Sequence, residues 1–246
     1  MNLRLLTYNI RYGGVGRERA IGDVIRGCEP DLVVLEEATR PEVVRALAES
    51  CGFPQYGSTF GESVAFLSRI PIAHHEWHRL ILARRSFLEI VTAGGLRIFG
   101  VHLSAIHSNV TERRRMFEVR ALLRRIAPHR DSFHVLAGDF NTLAEGAAFD
   151  VRRLPARLRA LYWLGGGKIR WRALALMIHG GYADAYRALH EDTGYTFPTW
   201  DPQVRLDYVF VPAASASCVQ SCSVLYDAPG AREASDHFPL LTDLTV

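Results

Sequence analysis

Lysine is almost missing from this sequence: of 29 basic residues only Lys168 is not an arginine, set against 26 acidic residues for a net charge of +3. So small an excess excludes any argument that charge alone makes the chain a nucleic-acid binder. Arginine suits bidentate phosphate contacts, but a genome rich in G and C produces the same bias. Cysteine is sparse too. Cys28, Cys51, Cys218 and Cys222 show no metal-ligand spacing, which excludes a structural zinc site of the finger or ribbon kind. A strand over 216–226 would hold Cys218 and Cys222 about 13 Å apart, at roughly 3.3 Å per residue, too far for a disulfide. Free, partly buried thiols and a reducing compartment are the expectation. Long apolar runs are also lacking: none approaches the ~20 residues that span a bilayer, and the chain starts almost directly with a strand-like stretch and offers no signal region. A soluble cytoplasmic protein is expected.

What the chain does have is short apolar runs that end in polar residues. Phe133, Val135, Leu136 and Ala137 close at Gly138-Asp139-Phe140-Asn141, which reads as a buried strand delivering an Asp and an Asn to a sheet edge. Leu32–Leu35 ends in Glu36-Glu37, Leu3–Tyr8 ends in Asn9, and Ile98–Val101 ends in His102. The C-terminal fifth adds Arg205-Leu206-Asp207-Tyr208 and Ser235-Asp236-His237. If Glu37, Asp139, Asp207 and Asp236 meet with two histidines, they repel one another unless a cation or a protonated histidine compensates. Taken singly, each acid reads as a cap or turn residue.

Between these points helical spacing predicts helices over about 17–27, with Ile21, Val24 and Ile25 inward, and over 41–49, with Val43, Val44 and Leu47 inward. Residues 52–61 read as a surface loop. Strands are expected at 63–68, 73–80, 87–92 and 96–103, the last two joined by Gly94-Gly95, and four in succession point to an antiparallel section of one mixed sheet. Arg84 and Arg85 fall in a connection between strands and read as a solvated turn ahead of a phosphate contact. Thr111 is placed to cap a helix to Ile126 with Met116, Val119, Leu123 and Ile126 inward, leaving Arg113, Arg114, Arg120 and Arg124 as a face that reads as solvated ahead of a nucleic-acid contact. Residues 157–179 alternate basic and apolar side chains around Gly165-Gly166-Gly167, which predicts two short basic amphipathic helices about a hinge. Such an element packs on the domain, lies on a membrane surface or stacks against bases. A further helix is expected from Gly181-Tyr182-Ala183-Asp184-Ala185-Tyr186. Trp200 reads as packing or as a pocket wall, and the final strands run over 217–225 and 238–245.

Asn9, Leu35-Glu36-Glu37, His102, Gly138-Asp139-Phe140-Asn141, Arg205-Leu206-Asp207-Tyr208 and Ser235-Asp236-His237 together, in this order, resemble the endonuclease/exonuclease/phosphatase superfamily, which includes deoxyribonucleases, abasic-site endonucleases, neutral sphingomyelinases and inositol polyphosphate phosphatases. The resemblance spans nearly the whole chain. It implies one α/β (α+β) domain over 1–246, a four-layer sandwich of two mixed, mostly antiparallel sheets with helices on both outer faces, and a variable basic insertion at about 150–181. It implies a Mg²⁺-dependent phosphoesterase, with Mn²⁺ able to substitute, in which Asn9, Glu37 and Asp236 hold the metal through hard oxygen donors. Asp139 and Asn141 then orient and activate water, Asp207 holds the His237 imidazole, and His102 donates to a phosphoryl oxygen. The first position of Glu36-Glu37 is commonly Gln in the family, so Glu36 adds a carboxylate, and the motif places the ligand at Glu37. Whether Asp139 or His237 is the base stays open. Histidine at position 102, where abasic-site enzymes tend to carry tyrosine, points away from specialised repair. The substrate class expected is nucleic acid ahead of phospholipid, with membrane contact through 157–179 as the lipid alternative. An inositol-phosphate phosphatase and a non-catalytic binding module are the other readings.

Overall fold

The computed structural model describes residues 2–79, 86–105, 109–143, 150–153, 156–164 and 172–246. Its strands are β1 (Asn2–Asn9), β2 (Leu32–Glu36), β3 (Gln55–Gly57), β4 (Val64–Ser68), β5 (Ile72–Arg79), β6 (Ser86–Thr92), β7 (Arg97–His102), β8 (His134–Asp139), β9 (Tyr182–Asp184), β10 (Asp207–Pro212), β11 (Val219–Val224) and β12 (Leu240–Thr245). The α-helices are α1 (Glu18–Cys28), α2 (Pro41–Cys51), α3 (Asn109–Ile126), α4 (Ala156–Leu164), α5 (Arg172–His179) and α6 (Ala231–Ala234).

Two six-stranded sheets result, ordered β11-β12-β1-β2-β4-β3 and β5-β6-β7-β8-β10-β9. Among the described residues only β1 with β2 and β7 with β8 pair in parallel, so the sheets are mixed and mostly antiparallel. The sheets pack face to face because their central strands are apolar on both sides. In β8, Val135 and Ala137 enter the core between the sheets, while Leu136 and the following Phe140 enter a second core under α3 and α5. The alternation of successive side chains therefore supplies both cores from one strand. Helices α1 and α2 bury Ile21, Val24, Val43 and Leu47 against the first sheet. Together the layers run helix, sheet, sheet, helix.

Five local expectations differ from what is observed. The four successive strands do not form one section: β4 pairs with β2 in the first sheet, and β5 to β7 belong to the second. Residues 181–186 are not a helix; Tyr182–Asp184 pairs antiparallel with β10, where Tyr182 donates its hydroxyl to His134 or accepts from it at 2.7 Å. The loop at 52–61 contains the short edge strand β3, and α3 begins at Asn109, so Thr111 lies inside the helix rather than before it. Cys218 ends a 3₁₀ turn before β11, and Cys28, Cys51, Cys218 and Cys222 are all free thiols. Arg84, Arg85 and the Gly165-Gly166-Gly167 hinge lie outside the described residues. Among the described residues no helix is long and apolar enough to cross a membrane.

Candidate active site

The parallel pairs bring the C-terminal ends of β1 and β2 together in one sheet and those of β7 and β8 together in the other. Asn9 pairs in register with Glu36, and His102 with Asp139. Strand β10 runs antiparallel to β8 with its first residue, Asp207, opposite Asp139. Asp236 and His237 arrive on the segment between α6 and β12. All eight expected site residues therefore gather at one end of the sandwich, on both sheets.

Asp139 is the centre. Its Oδ1 accepts the Asn141 backbone N–H at 2.8 Å, and its Oδ2 accepts the side-chain amides of Asn9 at 3.1 Å and Asn141 at 2.9 Å. The Asn9 bond crosses from one sheet to the other. Asn141 sits at φ 47°, a left-handed turn that Asn tolerates, and this turn folds its amide back onto the carboxylate. His102 places Nε2 3.8 Å from the same oxygen and Nδ1 3.2 Å from Ser63 Oγ. Gly138 has to be glycine: at φ +148° a Cβ would lie 1.9 Å from the Val101 carbonyl oxygen.

His237 Nδ1 meets Asp207 Oδ2 at 2.9 Å, and one ligand atom each from Asp139, Asp207 and His237 lies within 4.8 Å of the others. Burial opposes a charged imidazole here, but Asp207, with Asp139 and Asp236 behind it, outweighs burial and lifts His237 to about 10. Asp139 moves up to about 7, chiefly because it is buried and secondly because Asp207 is near. Glu36, the additional carboxylate, is wholly buried, takes the Thr7 hydroxyl at 2.6 Å, and is pushed well up by burial and then by Asp207.

The three residues expected to hold a metal converge on one turn. Arg11 N donates to Asn9 Oδ1 at 3.0 Å, Tyr12 N donates to Glu37 Oε2 at 2.6 Å, and Arg11 Nε lies 3.2 Å from Asp236 Oδ2. Arg17 fastens this turn, donating to the carbonyls of Ile10, Arg11 and Ala234. Among the described residues, five carboxylates (Glu36, Glu37, Asp139, Asp207, Asp236) thus meet three cationic groups, His237, Arg11 and Arg17, and two buried oxygens there, Glu36 Oε2 and Asp207 Oδ1, have no hydrogen bond. An all-oxygen donor set with surplus negative charge fits a hard divalent cation.

A second ring of residues escaped the sequence reading. Arg115 is 1% exposed; it donates to Glu112 Oε2 at 2.7 Å and to the carbonyls of Ser104 and Ala105 at 2.9 and 3.1 Å. Glu118 accepts both Ser104 N and Ser104 Oγ. One residue back, the Leu103 carbonyl accepts the Asn141 amide at 3.2 Å. Glu112 Oε1 accepts Arg172 N and Ala173 N, so α5 is tied to the same loop. The signal lay in phase: Arg115, Val119, Leu122 and Ile126 form the buried stripe of α3, whereas Arg113, Arg114, Arg120 and Arg124 are exposed as expected. Arg205, in turn, is bidentate to Asp184 at 2.9 and 2.6 Å and steadies the entry to β10.

A sequence model of the Endonuclease/Exonuclease/phosphatase family matches residues 6–237. No curated protein matches the chain. Among solved structures, an endonuclease/exonuclease/phosphatase from Beutenbergia cavernae is 22% identical with a TM-score of 0.75, over 100% of this chain and 72% of that one. A 3′ phosphatase from Neisseria bound to a product DNA hairpin is 16% identical with a TM-score of 0.74, over 99% and 100% of the two chains. An AP endonuclease from Archaeoglobus fulgidus is 19% identical with a TM-score of 0.71, again over 99% and 100%.

Proposed function

The chain belongs to the endonuclease/exonuclease/phosphatase family, whose members hydrolyse phosphoric esters, and from that premise we propose that it is a Mg²⁺-dependent phosphodiesterase acting on nucleic acid. Asp139 carries the reading. It is a buried carboxylate held by three N–H donors, beside an imidazolium, with its pKa brought to about 7. A base is most effective when its pKa lies near the working pH, so Asp139 is assigned to take the proton of the attacking water. His237 is cationic at neutral pH and is assigned to donate from Nε2 to a phosphoryl oxygen, with Asp207 fixing its ring through Nδ1. Asn141 orients Asp139, and His102 donates to a second phosphoryl oxygen. Asn9, Glu37 and Asp236 would hold Mg²⁺, with Mn²⁺ able to replace it. When bound, the cation neutralises charge on the phosphoryl oxygens. Nucleic acid is the substrate proposed because related folds include a 3′ phosphatase bound to DNA and an AP endonuclease. Four free thiols, three of them buried, support a cytoplasmic location.

The pH profile tests the assignment of roles. Log kcat/KM should rise through pH 7 as Asp139 loses its proton and fall only as the pH approaches 10, and Asp139→Ala should remove the rising limb with about 10²–10⁴ of the rate. A rising limb that survives Asp139→Ala would contradict it. A second reading, a phospholipid phosphodiesterase, is favoured by α4, where Trp163 is 66% and Leu164 84% exposed. It requires vesicle binding that is lost in Trp163→Ser.

A further inference from the structure

Four aromatic side chains among the described residues are more than 60% exposed: Phe60 at 80%, Tyr12 at 73%, Trp163 at 66% and Trp200 at 62%. Three of them stand on loops at the end of the sandwich that carries the carboxylates. Tyr12 follows the C-terminal end of β1, and its backbone N–H is the donor to Glu37. Phe60 stands on the turn into β4, at the end where Val64 pairs with Glu36, three residues before the Ser63 hydroxyl that meets His102. Trp200 stands on the segment leading to Asp207. Its ring lies 6.3 Å from Phe197, whose ring lies 4.8 Å from His237, and the neighbouring Thr199 N donates to the Asp236 carbonyl at 3.0 Å. Trp200 is thus neither buried packing nor remote from the site.

Singly exposed apolar side chains are ordinary, but three large rings on loops at the end that carries the carboxylates are placed to meet whatever binds there. The loops at 11–17, 37–42, 58–63 and 197–206 carry four arginines against four carboxylates. These four loops carry no cationic excess of the kind that draws a protein to an anionic bilayer. Flat rings need no such field to stack on bases, and the Arg11 guanidinium, 5.1 Å from the Tyr12 ring centroid, extends that platform as arginine does beside bases. Resting on the phosphodiesterase reading above, we propose that Tyr12, Phe60 and Trp200 form a stacking rim for the unpaired bases that flank the scissile phosphate, so that the substrate is single-stranded or frayed nucleic acid rather than intact duplex.

Binding and cleavage are to be measured separately. Binding uses fluorescence anisotropy with three labelled probes: a ten-nucleotide single strand, the same backbone made entirely of abasic units, and a blunt duplex. The rim predicts tightest binding to the single strand. Tyr12→Ser, Phe60→Ser and Trp200→Ser should each weaken that binding about 5- to 100-fold, the range for losing one base stack, and leave the abasic strand unchanged. Equal loss on both strands, or no loss on the single strand, overturns the proposal. So does loss of co-sedimentation with phosphatidylserine vesicles in these variants while single-strand binding persists. Mg²⁺-dependent hydrolysis of bis(p-nitrophenyl) phosphate by the wild type reports on the phosphodiesterase reading alone, because that small diester has no bases and makes no use of the rim. Its failure would refute the reaction, whereas the anisotropy series decides the rim in either case.

Discussion

Asp207→Asn is the perturbation that separates an imidazolium from a neutral histidine at position 237. Both side chains are buried, and Nδ1 is 2.9 Å from the carboxylate oxygen. Moving the imidazole from its ordinary 6.5 to about 10 corresponds to roughly 4–5 kcal/mol of preference for the cation, at about 1.36 kcal/mol per unit. Because the folded-state pKa lies above the unfolded one, this stabilisation is complete below about pH 6.5 and disappears as the pH climbs through 10. With asparagine in place of Asp207, burial acts on the ring with less opposition and its pKa falls by several units. Folding stability at pH 6 should fall by about 3–5 kcal/mol, the usual cost of removing one partner of a buried pair, which urea unfolding measures. The decisive assay is ¹H–¹⁵N NMR of the imidazole in EDTA-treated protein: protonated on both nitrogens from pH 6 to 8.5 in the wild type, neutral at pH 7.5 in the variant. A neutral His237 in the wild type at pH 7, or an unchanged titration in Asp207→Asn, refutes the reasoning and with it the donor role given to His237.

Arg115→Met leaves Glu112 buried without its partner and should cost about 3–5 kcal/mol, while Arg115→Lys recovers only part because one ammonium cannot serve Glu112 and two carbonyls with the same planar geometry; chemical denaturation compares the two. Cys222 and Cys28 are pushed up to about 12 and about 11 by burial, so both should stay unlabelled by a thiol-disulfide reagent at pH 8 until the protein is unfolded, as counted by mass spectrometry. Gly138→Ala drives a methyl group into the Val101 carbonyl and should cost more than about 4 kcal/mol, seen as loss of soluble protein or of a cooperative thermal transition.

The strands that carry Asn9, Glu36, His102 and Asp139 were legible because each is a short apolar run broken by a polar residue, and a strand buried on both faces leaves that trace. The partition into two sheets was not, because the turn between β4 and β5 looks like any hairpin, while the choice of partner depends on which edge of β2 is still open. Tyr182–Asp184 was misread for a similar reason. Helical and extended readings of a six-residue segment are close in energy, and the strand is fixed by contacts distant in sequence, to Arg205 and His134. The buried position of Arg115 was hidden by residue type, since three arginines in succession look solvated, although the helical phase of Val119 and Ile126 already distinguished it. At Glu36-Glu37, strand alternation predicted that the two carboxylates diverge. The outcome is a buried Glu36 below Asp139 and Asp207, with Glu37 at φ 54° on the turn beside Tyr12.

The most direct test of the central claim is Mg²⁺-dependent product release from a parallel panel of single-stranded DNA, duplex DNA, abasic DNA, RNA, sphingomyelin vesicles and inositol phosphates, with Asp139→Ala as the blank. The account predicts turnover of nucleic acid that requires Asp139 and stops on chelation of the metal. Turnover confined to the lipid or the inositol phosphates, or cleavage of nucleic acid that persists undiminished in Asp139→Ala, would contradict it.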